Sequence, residues 1–395
     1  MTAFACPRPD RFALYVHVPF CVRKCPYCAF ISHELRNPAE ADAVVDATLR
    51  EAEFYVNRPP WAGATVHSLF LGGGTPSMLA PDVVRRLLRG LRERFPFSPE
   101  AECSIEVNPG TLTDELLHAW QAAGINRVSL GVQSLGERTL KKLGRIHTAE
   151  QARQSWKKLK EAGAFDLNVD LMYSVAVENA MQEWADTLAE IASWSPDHLS
   201  AYALIVEEDT PFAAMQVRGK QVRLEDDDEL EQMRLLAETM AGAGLSHYEV
   251  SNWARTGKEC RHNVSYWDGG SYLSLGPAAH SFDASTRRRF WNTPDTRAWL
   301  AAVQEAGAGV GGEEILTPVQ HLEERIMLTL RMVRGGLEAE LAELAEQAEV
   351  NWPPRSLSRM IEEGLLERDG AVLRCSERGL YVVDAIQAQL AADLS

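Results

Sequence analysis

Six short apolar runs, separated by longer amphipathic stretches, limit what this chain can fold into more than any other feature. They are "FALYVHV" at 12–18, "HSLFLGG" at 67–73, "CSIEVN" at 103–108, "RVSLGVQ" at 127–133, "LNVDLMY" at 167–173 and "HLSAYAL" at 198–204. A strand with one solvated face alternates apolar and polar residues. These runs are nearly unbroken, which predicts strands buried on both faces. Between them, "PDVVRRLLRGLRERF", with Pro81 near its start, and "AEQARQSWKKLKEAG", closed by Gly163, carry helical periodicity and helix-end signals. Strand and helix in series predict an α/β chain with a parallel sheet, curved or closed as a barrel.

The alternation fades after about residue 205. The sequence therefore divides into a six-unit core over 1–205 and a mixed segment over 206–304 that completes the site. A linker follows at 305–314 ("EAGAGVGGEE"), rich in Gly and Ala, and then a small domain over 315–395. That last part reads helix, helix, a hairpin turning at Asp369-Gly370, and a final helix, an order that suggests a winged-helix-like α+β unit. Winged helices often bind DNA, but residues 316–395 carry 14 Asp and Glu against 8 Arg and no Lys, and the whole chain has a formal charge of −16. Phosphate binding needs clustered cations, so nucleic acid is excluded as the main partner, and a lid or interaction role fits the charge better. No apolar run reaches 18 residues, and "MTAFACPRPD" lacks the basic and apolar regions of a secretory leader. Both predict a soluble, cytoplasmic protein.

In such a compartment seven cysteines do not make a disulfide framework, and a tight trio points to metal or redox chemistry. Cys21, Cys25 and Cys28 follow the first strand with spacing C-x3-C-x2-C. A structural zinc site needs four ligands, and the nearest candidates are His33 after the cluster and His17 before it. A [4Fe–4S] cube held by three thiolates leaves one iron open to an outside ligand, which an odd number of cysteines suits. Other polar residues stand where such a site needs them. "GGGTPS" at 72–77 gives a backbone free of Cβ atoms and rich in N–H donors, and Glu106, Gln133 and Asp170 end the next three strands.

The cysteine triad together with "GGGTPS", "EVNP", "GVQS" and "LGR" resembles the radical S-adenosylmethionine superfamily, in its branch related to oxygen-independent coproporphyrinogen III dehydrogenase. The resemblance covers nearly the whole chain. It implies a partial (β/α)6 TIM-like barrel with a C-terminal winged-helix-like domain, and a [4Fe–4S] cluster on Cys21, Cys25 and Cys28 whose unique iron is chelated by S-adenosyl-L-methionine. By motif match, Tyr15 and Tyr27 flank the cluster, and Gly73, Gly74 and Thr75 meet the methionine moiety. Glu106, Gln133, Arg145 and Asp170 hold the rest of the cofactor, with Ala203 a further contact after the sixth strand.

Two features select a subgroup. The coproporphyrinogen dehydrogenases continue the triad as C-x-C, whereas this chain reads Cys28-Ala29-Phe30. In "RHNVSYWDG", His262, Asn263, Tyr266 and Trp267 resemble the HN-x-x-YW signature of the haem chaperones in the same branch, where an imidazole could ligate iron and aromatics could cover a porphyrin face. A core histidine with packed aromatics is the alternative reading of the same residues. The resemblance implies a carrier that binds haem and passes it to a haem-accepting protein. It allows an electron donor such as flavodoxin or ferredoxin, and peripheral membrane association. The runner-up is a radical enzyme that decarboxylates a porphyrinogen propionate; an enzyme opening the haem ring is disfavoured by the HN-x-x-YW match. One departure stands out: where relatives carry Gly-Leu-Pro-Gly after the fifth strand, this chain has Ser174, Val175, Ala176 and Val177, which predicts an altered cofactor pocket near Asp170.

Overall fold

A computed structural model describes residues 10–394, so the N-terminal stretch read for a leader lies outside the described residues apart from Asp10. The six predicted strands form in order. β1 (Arg11–Val18) leads into a loop with two short paired strands, β2 (Phe20–Cys21) and β3 (His33–Glu34). Then come α1 (Pro38–Tyr55), β4 (Thr65–Gly73), α2 (Pro81–Arg94), β5 (Phe97–Val107), α3 (Asp114–Ala122) and β6 (Arg127–Gln133). They are followed by α4 (Glu137–Lys142), α5 (Ala149–Ala162), β7 (Asp166–Tyr173), α6 (Ala180–Trp194) and β8 (His198–Ala203). All neighbours from β1 through β8 in the main sheet pair in parallel. Leu14, Leu69, Ile105, Leu130, Val169 and Leu199, one from each strand, are fully excluded from solvent. Burial of each such side chain stabilises the fold by about 1.5–3 kcal/mol. The helices end where the sequence signals lie: Thr148 and Gln151 form a capping box at the start of α5, and Gly163 closes it with φ 62°.

The sheet is not confined to those six strands. The segment after β8 adds α7 (Pro211–Val217), α8 (Asp226–Gly242), β9 (Ser246–Glu249), β10 (Asn252–Ala254), α9 (Arg261–Trp267), β11 (Tyr272–Leu275), β12 (His280–Asp283), β13 (Arg288–Asn292), α10 (Thr296–Ala306) and β14 (Val310–Ile315). Its strands extend both edges, giving a twelve-stranded open sheet in the order β14-β13-β12-β11-β1-β4-β5-β6-β7-β8-β10-β9. β11 lies parallel to β1, with Tyr15 opposite Ser274. The barrel is therefore partial, and the chain after residue 205 completes its curvature.

The stretch 305–314, read as a linker, is instead structured. Gly307 caps α10 with φ 85°, and Val310–Ile315 pairs antiparallel with β13 as the edge strand. Its glycines are there for packing. A Cβ on Gly309 would stand 2.1 Å from the Trp299 ring, and one on Gly312 would stand 2.5 Å from the Trp291 ring. Glu51, buried on α1, holds this region down by accepting from Gly276 N–H (2.9 Å), Asn292 Nδ2 (2.9 Å), Gly309 N–H (3.1 Å) and Trp299 Nε1 (3.3 Å).

The remaining residues form α11 (Pro318–Arg331), β15 (Gly336–Leu337), α12 (Glu338–Gln347), α13 (Leu357–Glu362), β16 (Leu366–Asp369), β17 (Val372–Cys375), α14 (Glu377–Leu380) and α15 (Val383–Ala392). The predicted hairpin forms, but Asp369 pairs with Val372, so its turn is Gly370-Ala371, one residue later than expected; a core that includes Leu322, Ile326, Leu330, Leu366 and Leu373 stands apart from the main one. Two backbone bonds tie this unit to the end of β9: Val250 N–H to the Arg331 carbonyl (2.9 Å) and Val333 N–H to the Tyr248 carbonyl (3.1 Å). No helix among the described residues is long and apolar enough to cross a membrane.

Candidate functional site

At the C-terminal ends of the parallel strands a cavity of about 410 Å³ is lined by Cys21, Cys25 and Cys28, and opposite them by Glu106, Gln133 and Asp170. The three thiols are free and half-buried. Their loop leaves β1 over the sheet and is pinned by Thr75 N–H to the Phe20 carbonyl (2.6 Å) and Gly74 N–H to the Val18 carbonyl (2.8 Å). This pinning explains the Gly triplet differently from the sequence reading. A Cβ on Gly73 (φ 106°) would meet the His17 ring at 2.5 Å, and one on Gly74 the Phe20 carbonyl oxygen at 2.5 Å. The glycines let the cysteine loop close onto β4.

Donors converge on the sulfurs. Thr75 Oγ1 lies 3.7 Å from Cys21 Sγ, and Arg145 Nη1 lies 3.6 Å from Cys25 Sγ. Arg145 also bonds the Gly131 carbonyl (3.1 Å) and the Asn108 side chain, while Asn108 Nδ2 donates to Thr75 Oγ1 (2.7 Å). Burial pushes the Cys28 thiol up, partly opposed by a backbone bond at Phe30. Among the described residues no three His, Cys, Asp or Glu side chains converge on one point as a single metal ion requires. A cube offers each thiolate its own iron, so its ligands need not converge. Both histidines considered for zinc are engaged elsewhere: His17 Nε2 donates to the Ile31 carbonyl (2.7 Å), and exposed His33 stands 3.9 Å from Glu40.

Across the cavity, Glu106 accepts the Gly73 N–H at 3.1 Å, and Asp170 accepts from Ser129 Oγ (2.6 Å) and Asn168 Nδ2 (2.7 Å). Burial, with Asp170 as a second negative neighbour, raises the Glu106 carboxyl to about 8; burial raises that of Asp170 as well. Two buried carboxyls with raised pKa values and three thiols with donors aimed at two of them form a donor set suited to an iron–sulfur cluster and a cationic ligand beside it. The side chains present fit the group.

Of the other expected contacts, Tyr27, Gly73, Gly74, Thr75, Gln133 and Arg145 line this cavity. Gln133 is held at φ 65°, which turns its side chain off the end of β6. Tyr15 stands deeper, with its hydroxyl 3.2 Å from His17 Nδ1. Ala203 lines neither the cavity nor the chamber beneath it; Tyr202, its neighbour on β8, lines both, as strand alternation requires. The replaced turn at Ser174–Val177 also points away. Ser174 keeps a left-handed backbone (φ 64°), its N–H donates to Gln232 Oε1 (2.7 Å) and its hydroxyl bonds Glu229, both on α8. The cavity near Asp170 is walled by Met172 instead.

Below the cavity and sharing Phe30, Gly73, Glu106, Ser129, Asp170 and Tyr202 with it is a chamber of about 290 Å³ inside the sheet. Its floor is α9. Glu102 on β5 anchors that helix by accepting the N–H groups of His262 (3.0 Å) and Arg261 (3.1 Å). Asn263 and Tyr266 line the chamber; Trp267 does not. His262 is 1% exposed, with Nδ1 3.0 Å from Ser68 Oγ and Nε2 2.9 Å from the Tyr266 hydroxyl. Burial lowers its pKa to about 3, so the ring is neutral. Both nitrogens are occupied, which is the geometry of the core-histidine alternative. Sequence reasoning missed Asn108, Ser129, Asn168 and Tyr202. Asn108 was visible within "EVNP", but the others needed the register of adjacent strands.

Comparison with known proteins agrees with this architecture. The model of the radical SAM superfamily matches residues 15–191, and that of the HemN C-terminal domain matches residues 316–382. The chain is 34% identical over 387 residues to the heme chaperone HemW of Mycobacterium tuberculosis, covering 96% of this chain and 95% of that protein. It is 37% identical over 290 residues to the heme chaperone HemW of Escherichia coli, covering 72% and 74%. A mitochondrial radical S-adenosyl methionine domain-containing protein 1 of Mus musculus is 32% identical, with 98% and 90% covered. Among solved structures, the coproporphyrinogen III oxidase HemN of Escherichia coli superposes with a TM-score of 0.82 at 23% identity over 98% of this chain and 91% of that one, which shows a shared fold. With the partial barrel, the cysteine loop over its mouth, and 34% identity over 96% of the chain to one heme chaperone HemW and 37% over 72% to another, the chain belongs to the heme chaperone HemW family of the radical SAM superfamily.

Proposed function

We propose that the protein is a haem carrier that holds a [4Fe–4S] cluster on Cys21, Cys25 and Cys28, binds S-adenosyl-L-methionine beside it, and passes haem to an accepting protein. The observation that carries this reading is the conjunction of three free thiols facing a carboxyl-lined cavity with similarity over 96% of the chain to a protein named as a heme chaperone. The Cys28-Ala29-Phe30 sequence, without a fourth cysteine, points the same way.

In this reading Glu106 ionises to accept from the ammonium of S-adenosyl-L-methionine, and Asp170 and Gln133 hold its more distant polar groups. Thr75 and Arg145 stay on the sulfurs, where hydrogen bonds and positive charge favour thiolate over thiol. When bound and reduced, the cluster and S-adenosyl-L-methionine together supply one-electron chemistry. An electron donor such as flavodoxin or ferredoxin would approach over the exposed Val22, Phe30 and Ile146 at the cavity rim. The "HNVSYW" segment belongs to the haem-handling region, with His262 framing the helix and Asn263 and Tyr266 facing inward. Residues 315–395 act as a lid or interaction domain, and the protein works in the cytoplasm with peripheral membrane association during delivery.

The test is one anaerobic reconstitution read two ways, for retained haem after gel filtration and for decarboxylated product from coproporphyrinogen III under reducing conditions. Stoichiometric haem without product supports the carrier. Product without haem retention overturns it in favour of the decarboxylase.

A further inference from the structure

The two side-chain donors that reach the cysteine sulfurs come from distant parts of the chain, Thr75 after β4 and Arg145 after α4, and one side chain holds both. That side chain is Asn108, the residue that follows β5. Its Nδ2 donates to Thr75 Oγ1 at 2.7 Å, and its Oδ1 accepts from Arg145 Nη2. The residues after it fix its backbone. Pro109 confines the preceding residue to extended conformations, and the Asn108 carbonyl accepts from Thr111 Oγ1 (2.7 Å) and the Thr111 N–H (3.3 Å). Gly131 on β6 leaves room for the amide: a Cβ there would stand 3.2 Å from Asn108 Oδ1 and 3.0 Å from Gln133 Nε2.

The direction of each bond follows from the groups that make it. A guanidinium has only donors, so the amide must turn its oxygen to Arg145 and its NH2 to Thr75. Thr75 Oγ1, which accepts from Asn108, keeps its single proton for another partner, and Cys21 Sγ lies in reach at 3.7 Å. The bonds therefore run one way, from guanidinium to amide to hydroxyl to sulfur, and bonds in such a chain polarise one another. Arg145 divides itself between this chain and a second sulfur. Its Nη1 lies 3.6 Å from Cys25 Sγ, while its Nη2 also meets the Gly131 carbonyl (3.1 Å) and His147 Nδ1 (3.5 Å). Arg145 thus has anchors besides Asn108. Among the described residues the Thr75 hydroxyl accepts from Asn108 alone.

Hydrogen bonds to the sulfurs of an iron–sulfur cluster favour its reduced state, which carries one more negative charge and accepts more strongly, and so raise its reduction potential. We propose that Asn108 is a positioning residue that sets the reduction potential of the cluster, by turning the Thr75 hydroxyl toward Cys21 and steadying the Arg145 guanidinium beside Cys25. Its amide acts on the sulfurs through Thr75 and, in part, through Arg145. This inference rests on the cluster-binding reading above and adds to it the residue that tunes the cluster.

The experiment measures the midpoint potential of the reconstituted cluster in the full chain, by anaerobic redox titration followed by electron paramagnetic resonance. S-adenosyl-L-methionine is left out so that changes in its binding do not enter, and iron content and melting temperature are recorded for each variant. Asn108→Ala should move the potential negative by roughly a tenfold change in the reduction equilibrium, about 59 mV for one electron. Thr75→Val should move it the same way, whereas Thr75→Ser, whose hydroxyl can still donate, should stay at the wild-type potential. Because one residue acts through the other, Asn108→Ala and Thr75→Val combined should shift it by less than the sum of the single shifts. A lower melting temperature with unchanged potentials at matched iron content would make Asn108 merely structural and overturn the inference. Strictly additive shifts would overturn it too. Should Asn108→Ala not assemble a cluster, Asn108→Asp decides. Its carboxylate only accepts, so it keeps Arg145 but turns the Thr75 hydroxyl away from Cys21, and its negative shift should be larger in the wild-type background than in Thr75→Val. Equal shifts in the two backgrounds would count against the inference. A wild type that holds no cluster would sink the cluster reading itself, a result distinct from a cluster whose potential ignores Asn108.

Discussion

Glu106 reaches back along the sheet to accept the backbone N–H of Gly73 at 3.1 Å, so the carboxyl that faces the cysteine loop is also bonded to the strand end beneath that loop. The bond orients a group that burial and Asp170 keep from ionising until about pH 8. The folded value lies above the ordinary carboxylate value, so the protonated form is favoured in the fold. Stability from this group is present at low pH and falls as pH rises from about the unfolded value toward 8. Glu106→Gln should flatten that decline in the ligand-free protein, measured as melting temperature across the interval. The same variant should weaken S-adenosyl-L-methionine binding by about 1.5–3 kcal/mol, the usual contribution of a hydrogen bond to a charged group, read by calorimetry on reconstituted protein.

The cysteines divide by position. Cys25→Ala should abolish the visible iron–sulfur absorption, because in the proposed reading the cluster's protein ligands are the three thiolates of one loop. Cys103→Ala and Cys375→Ala should keep it, since those residues are buried on β5 and β17 away from the cavity. Iron and sulfide remaining stoichiometric in the Cys25 variant would refute the assignment.

His262→Ala removes a ring bonded on both nitrogens and strands the hydroxyls of Ser68 and Tyr266. Each buried polar group left without a partner costs about 1–3 kcal/mol, so the variant should lose melting temperature clearly. If the ring only frames α9, the Soret band of bound haem should stay where it is in wild type. A shifted band at matched cluster content would make it a ligand.

Glu51→Ala leaves four buried donors without their acceptor, those of Gly276, Asn292, Gly309 and Trp299. Even with partial relaxation the loss should reach about 3 kcal/mol or more, measured by denaturant unfolding. Burial raises the Glu51 pKa to about 7, so its contribution also declines as pH rises from the unfolded carboxylate range to 7. Glu51→Gln should remove that part of the pH dependence while keeping one acceptor.

Gly309→Ala tests the edge strand. The added methyl would stand 2.1 Å from the Trp299 ring, and that tryptophan is fully buried, so the ring must shift or the strand must lift. The expected outcome is a loss of about 1–3 kcal/mol from overpacking, together with faster proteolysis within 305–314. A flexible linker would tolerate the change without effect on either measurement.

What the sequence determined by itself was whatever depends on neighbours a few residues away. Unbroken apolar runs specify doubly buried strands, caps such as Thr148 and Gly163 specify helix ends, and the C-x3-C-x2-C loop with the "GGGTPS" and "EVNP" motifs specifies the cysteine-lined cavity. Only the tertiary structure decided what depends on distant partners. β11 takes its place beside β1 although more than 250 residues separate them, which is what carries the sheet past six strands. The Gly-rich stretch 305–314 becomes a strand because Trp291, Trp299 and Glu51 supply the surface that its missing side chains leave room for. α9 becomes the floor of the chamber because Glu102, on a strand about 160 residues earlier, binds its first N–H groups. Periodicity within a window reports which face of an element is apolar, but the partner that covers it is chosen by packing across the whole chain, where no short pattern carries the information.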